Sequence, residues 1–224
     1  MELSIIYSIL AVSLLSSILI IVSFSKFGYS EKIMSLYIVF LTVFEFIGHF
    51  SIKLFPEIES NMPGLHLYTL IDFIVLFIFF QTVFADFDIK INRKIFLPIG
   101  VLLIVFNSIF IQDIYSYNGN VRITLDILII TCSLVFLIFY LVKISYEDKN
   151  RHNLHLLFVI VLFVKSSLSL LFYINIPLIL TLSDSYRNNL FALRGIINLI
   201  CAFLFLILST ILLLKYRSSN LIEV

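Results

Sequence analysis

Apolar residues fall into seven long runs along the chain, at 4–24, 33–52, 65–84, 95–111, 123–142, 154–174 and 190–214. A helix needs about 20 mainly apolar residues to cross a hydrocarbon core about 30 Å thick, so each run predicts a transmembrane helix. The alternation of period two that marks a membrane β-barrel is absent. Polar punctuation separates the runs: "FPEIESNMPG" after the second, "SYNGN" after the fourth and "NIPLILTLSDS" after the sixth. In the last of these Pro177, which cannot donate a backbone hydrogen bond, predicts that the sixth helix has ended. Pro98 lies near the start of the fourth run, where a helix tolerates it best. The first run opens with Glu2 rather than a basic leader and exceeds the roughly 7–15 apolar residues of a signal peptide, so it reads as a helix. The expected fold is all-α: a polytopic membrane protein, one seven-helix transmembrane domain over residues 1–224.

Composition sharpens this. Hydrophobic residues make up 61% of the chain and charged residues 13%, against about 25% charged in soluble domains, and mean hydropathy is +1.12. The net charge of +1 hides no basic tract interleaved with aromatics, which excludes nucleic acid as a partner. Cys132 and Cys201 sit within apolar runs without metal or redox spacing, and read as packing residues. Ten Lys and Arg residues occupy the odd-numbered loops and the C-terminus, and only Lys53, Arg122 and Arg187 occupy the opposite side. The positive-inside rule then puts the N-terminus outside and the C-terminus in the cytoplasm of an inner membrane. Tyrosines near run ends suggest interfacial belts, with Tyr37, Tyr140 and Tyr216 on one surface and Tyr7, Tyr68 and Tyr173 on the other.

Ionisable residues within the runs carry the chemistry. Glu45 and His49 lie in the second run ("FEFIGHF"), His66 and Asp72 in the third, Asp126 in the fifth, Lys165 in the sixth and Arg194 in the seventh. At about 1.5 Å per residue, Glu45 and Asp72 fall roughly 10 Å below the outer end, Asp126, Arg194 and His49 roughly 5 Å, and Lys165 roughly 14 Å. All five helices thus carry their charge in the outer half. An ion at mid-bilayer costs at least about 2.5–3.5 kcal/mol, so these groups are expected to face one another. Helical spacing groups them with Tyr68, Asn198 and, at similar depth, Asn107. Three carboxylates against Lys165 and Arg194 leave one surplus negative charge, which a proton on Glu45 or His49 would neutralise. In this scheme Lys165 and Arg194 hold Asp72 and Asp126 ionised, and the Glu45–His49 pair titrates.

The candidate ligand-binding set is therefore Glu45, His49, Asp72, Asp126, Lys165, Arg194, Asn198, Asn107 and Tyr68. Lys165 and Arg194 would hold an anionic group, and Asp72 and Asp126 a cationic one. The expected partners are the lipid bilayer, a small polar solute or protons, and a membrane or cytoplasmic protein that receives the signal. A transporter and a purely structural charge network are the alternatives. No cofactor and no metal are expected. His152 and His155 of "HNLH" could chelate at i, i+3, but two ligands at a helix start read as solvated. Ser13 and Ser17 form a small-xxx-small pair suited to close helix packing. Catalysis would need a nucleophile or a metal, and the residues do not decide for it.

Seven helices with an external N-terminus are similar in topology to microbial rhodopsins and G-protein-coupled receptors. The Schiff-base lysine of retinal proteins is missing from "LRGIINLICAF". The intramembrane zinc hydrolases of the ceramidase and adiponectin-receptor type pair an Asp with HxxxH, where this chain has Arg194 and Asn198. On "FEFIGHF", "LHLYTLIDFIVLF" and "NNLFALRGIINLI" the chain resembles small seven-helix bacterial membrane proteins. That resemblance implies the fold and brings no activity.

Overall fold

The computed structural model describes residues 3–54, 62–115, 118–143 and 149–219. Among them, seven helices are long and apolar enough to cross a membrane: α1 (Leu3–Ser23), α2 (Tyr29–Leu54), α3 (Met62–Ala85), α4 (Arg93–Phe106), α5 (Gly119–Lys143), α6 (Lys149–Thr181) and α7 (Asp184–Ser219). A 3₁₀ turn, Phe24–Lys26, follows α1, and α4 runs on into a π-helical turn, Asn107–Ile111.

Helices α2, α3, α5, α6 and α7 extend beyond their apolar runs, because the backbone gains a hydrogen bond with each added residue while side chains can reach the water rim. Two extensions overturn expectations. Helix α6 continues through Pro177 to Thr181, although proline there removes the amide that would bond to the carbonyl of Tyr173. Membrane helices tolerate such prolines where neighbouring groups satisfy the freed backbone. Helix α5 begins at Gly119 rather than 123, which brings Arg122 inside the helix.

The helices close a ring. Helix α1 packs against α2 and α7, α2 against α3, α3 against α5, α5 against α6, and α6 against α7. Helix α4 packs chiefly on α3, outside that ring, and much of its surface is exposed apolar side chain. Helices α1 and α2 are drawn together by Ser17, whose hydroxyl donates to Thr42 Oγ1 (2.8 Å), while Thr42 Oγ1 donates to the Ser13 carbonyl (3.1 Å). The small side chains allow that approach, as helix pairs in lipid require.

One end of the ring, formed by the C-terminal ends of α2 and α6 and the N-terminal ends of α3, α5 and α7, holds the polar residues and is called the cavity end below. The other half is a dense aromatic core. Phe79 and Phe158 pack at 4.7 Å between centroids, and Tyr37 meets Phe158 edge-on at 5.7 Å. Leu162, Leu208 and Leu212 fill the rest, all fully buried. Beyond this core, at the far rim, Glu31 accepts from the Gly28 amide (2.9 Å) and from Lys215 Nζ (2.8 Å), tying α2 to α7. His155 is buried there, its Nε2 bonded to Ser30 Oγ at 2.9 Å.

Gly100 fixes how closely α4 can approach. A methyl group at that position would run into the ring of Phe73 on α3. Replacing Gly100 by Ala is expected to cost about 1–3 kcal/mol, the usual range for overpacking, in reversible unfolding in mixed detergent micelles. Adding Phe73→Leu should restore most of the loss.

Candidate functional site

The centre of the polar end is Arg122, one turn into α5. Its side chain is 4% exposed, its Nη1 donates to Asp72 Oδ2 of α3 at 2.5 Å, and its Nη2 donates to Asp126 Oδ1 at 2.9 Å. Both carboxylates are fully buried. The fork of a guanidinium can serve two acids at once, and charge-assisted bonds of this kind are the strong ones. Asp126 is reached because it lies four residues on, on the same helix face. Asp72 Oδ1, Asp126 Oδ2 and Arg122 Nε have no hydrogen-bond partner among the described residues.

This arrangement corrects the expected pairing. Asp72 and Asp126 are held by Arg122, not by Lys165 and Arg194, and sealed behind it they do not line the cavity described below. The charge count changes with it. Three carboxylates, Glu45, Asp72 and Asp126, now stand against three cations, Arg122, Lys165 and Arg194, so neutrality no longer requires a proton on Glu45 or His49.

Lys165 and Arg194 instead take phenols as partners. Lys165 Nζ donates to Tyr37 and Tyr68 (3.3 and 3.4 Å) and lies 5.4 Å from the centroid of the Tyr37 ring. Arg194 Nη2 donates to Tyr173 (2.9 Å) and its guanidinium sits 4.4 Å from the centroid of the Phe172 ring. Tyr68 and Tyr173 also flank Arg122, with ring centroids at 5.4 and 6.0 Å. Tyr37, Tyr68 and Tyr173 therefore turn inward to solvate cations through their oxygens and ring faces instead of lying in an interfacial belt. Tyr140 likewise turns in, donating to Asn153 Oδ1 at 2.8 Å.

These groups surround a cavity of about 1390 Å³ between α2, α3, α6 and α7, with Arg122 of α5 reaching its wall. Its polar lining comprises Glu45, Arg122, Lys165, Ser169, Arg194 and Asn198 together with Tyr68, Tyr173 and Asn175; the remainder is largely Leu, Ile and Phe. Glu45 forms no hydrogen bond or ion pair among the described residues and feels Lys165 and Arg194 through space. A recess of about 40 Å³ shares Glu45, Lys165 and Asn198 with the cavity and runs towards Ser13 and Ser16 of α1.

Two expected members lie elsewhere. His49 packs edge-on against Tyr7 of α1, 5.8 Å between centroids, and does not line the cavity. Four residues of helix turn its side chain about 40° from that of Glu45, enough to face a different neighbour. Asn107 belongs to the π-helical turn and donates to Gln112 Oε1 at 3.0 Å; α4 stands outside the ring, so it cannot reach the cavity. From the same stretch Ser108 bonds His66 Nδ1 at 2.8 Å and links α4 to α3. No group of three metal-ligating side chains occurs among the described residues.

Arg122 was the residue missing from the sequence-based set. Its spacing to Asp126, i and i+4, is the signal that could have found it once the fifth helix is extended by a turn. Changing Arg122 to Gln leaves two buried acids without their counterion and should cost about 3–5 kcal/mol in reversible detergent unfolding. Asp72→Asn and Asp126→Asn, introduced together in that background, should recover most of the loss. No known family model, no curated protein and no solved structure matches the chain.

Proposed function

We propose that this protein is a multi-pass membrane receptor whose cavity binds an acidic solute and reports its occupancy to a membrane or cytoplasmic partner. One observation carries the reading: the cluster is polarised. Two of its three acids are sealed at the back by Arg122, while Lys165 and Arg194 face the cavity with, among the described residues, only neutral phenols as hydrogen-bond partners. Cations so placed in a membrane are costly; an acid between them would make the direct bonds that Glu45, at a distance, does not make, and a proton on Glu45 would then keep the layer neutral. Asp72 and Asp126 are not presented to a ligand, which leaves Glu45 as the acid among the described residues that could meet a cationic group there. Among the described residues the aromatic core beneath the cavity offers no polar path to the far end, which favours binding over transport.

Two variants test this. Thermal unfolding of the purified protein in neutral detergent is measured with small carboxylates, phosphates and sulfonates, and with amines of matched size. Acids should raise the melting temperature and amines should not. Lys165→Gln should weaken acid binding about 10- to 100-fold, the worth of one hydrogen bond to a charged group, while costing less stability than Arg122→Gln. Gly48→Leu fills the cavity from a position where an added Cβ meets open space, so it should block acids without unfolding the protein. Stabilisation by amines alone, or no effect of either variant on acid binding, overturns the reading.

We further propose that the cavity opens to the outer face of an inner membrane. With Arg122 withdrawn into α5, ten cations near the opposite ends stand against Lys53 and Arg187, which strengthens the positive-inside argument. Tags at both termini should show the N-terminal one cleaved by external protease on spheroplasts and the C-terminal one protected.

A further inference from the structure

Resting on the acid-binding reading, we infer that the natural occupant is a single-chain amphiphile: a carboxylate or phosphate-monoester head on one long apolar chain, with the head at Lys165 and Arg194. The cavity volume of about 1390 Å³ exceeds the roughly 300–1,000 Å³ of sites for small ligands. Its charged side chains, Glu45, Arg122, Lys165 and Arg194, are few for that space, and the other polar groups are uncharged. A small acid would satisfy the cations and leave most of the apolar wall uncovered.

That wall is built from two helix faces. Leu171 and Leu178 of α6, one heptad apart, face the cavity with Leu190, Leu193 and Ile197 of α7, which are spaced three and four residues apart. Asn175, the polar residue between the two leucines, spends one amide N–H on the Leu171 carbonyl at 2.7 Å. Leu171 and Leu178 are each 61% exposed and Leu193 is 53% exposed, although all three line the cavity. Of these, Leu171 and Leu193 lie within the membrane-spanning stretches of α6 and α7, and Leu178 lies two residues past the end of the α6 span, at the rim, so the cavity wall runs from the level of the lipid chains to the membrane edge. An apolar tail can slide in from the bilayer without crossing water, while the head is drawn to the cations. Lys165 lies 13 residues before Leu178 on α6, about 20 Å along the axis, a span suited to an extended chain rather than to a compact solute.

The chain contains no tryptophan, so a single introduced indole reports on its own surroundings. Leu178→Trp places it on the cavity wall, and Leu102→Trp places it on the exposed outer face of α4; helical content by circular dichroism confirms that both fold. Each is reconstituted in phosphatidylcholine vesicles and titrated with dibromostearic acid, whose bromines quench indole on contact. The expected result is saturable quenching at position 178, and only weak, linear quenching at position 102. Lys165→Gln should shift the midpoint at least tenfold and Lys165→Arg should preserve it. Dibromostearyl alcohol should quench without saturation. Displacement by lysophosphatidate and by stearate tells which head is preferred. Because each methylene reaching the wall is worth about fourfold in affinity, decanoate should displace far better than butyrate. Equal linear quenching at both sites, or displacement by butyrate or inorganic phosphate as effective as by stearate, overturns the inference. If small acids still stabilise the protein in the thermal assay, the acid-binding reading survives that failure; if they do not, both fall.

Discussion

Everything at the polar end of this bundle depends on one guanidinium and two carboxylates packed together out of contact with water. Taking ions from water costs several kcal/mol each, and only close, well-directed bonds repay it. Arg122 meets that condition on one side by helical spacing and on the other by the packing of α5 against α3. The contact decides more than stability. By occupying Asp72 and Asp126 it removes them from any ligand, and leaves the two remaining cations to aromatic hydroxyls.

From there the character of the cavity follows. A phenol can orient an ammonium or guanidinium group and shield it with its ring, yet it supplies no charge. Lys165 and Arg194 are thus positioned but not neutralised by their direct partners. Among the described residues Glu45 is the one carboxylate on the cavity wall, and it stands beyond bonding distance of either. This separation supports the proposed binding role over a staple, since a staple would bring the opposite charges into contact, as Glu31 and Lys215 do at the far rim.

Much of this was legible in the sequence. The seven runs gave the helix number because the hydrocarbon core demands length and apolarity of every span, and the depth of Glu45, Lys165, Arg194 and Asn198 placed them in one layer that the structure brings to one cavity. Side-chain direction was less legible. Glu45 and His49 share a stripe by spacing, yet a rotation of some 40° sends one to the cavity and the other to Tyr7. Helix ends were less legible still: a hydropathy boundary at 123 hid Arg122 by one residue, and Pro177 suggested an end that the neighbouring helices do not impose. Asn107 failed for a reason of topology, since nothing in the fourth run reveals that α4 stands outside the ring.

The ion pair spans fifty residues of chain, and that separation sets an order of events. Helix α3 is made before α5, so at roughly 5–20 residues per second Asp72 exists for about 3–10 seconds before the ribosome has produced its counterion. A lone aspartate in lipid is expensive during that interval. The nascent third helix therefore has reason to linger at the insertion machinery, or to keep its acid protonated, until the fifth arrives. Biogenesis of this protein is in that sense a delayed neutralisation.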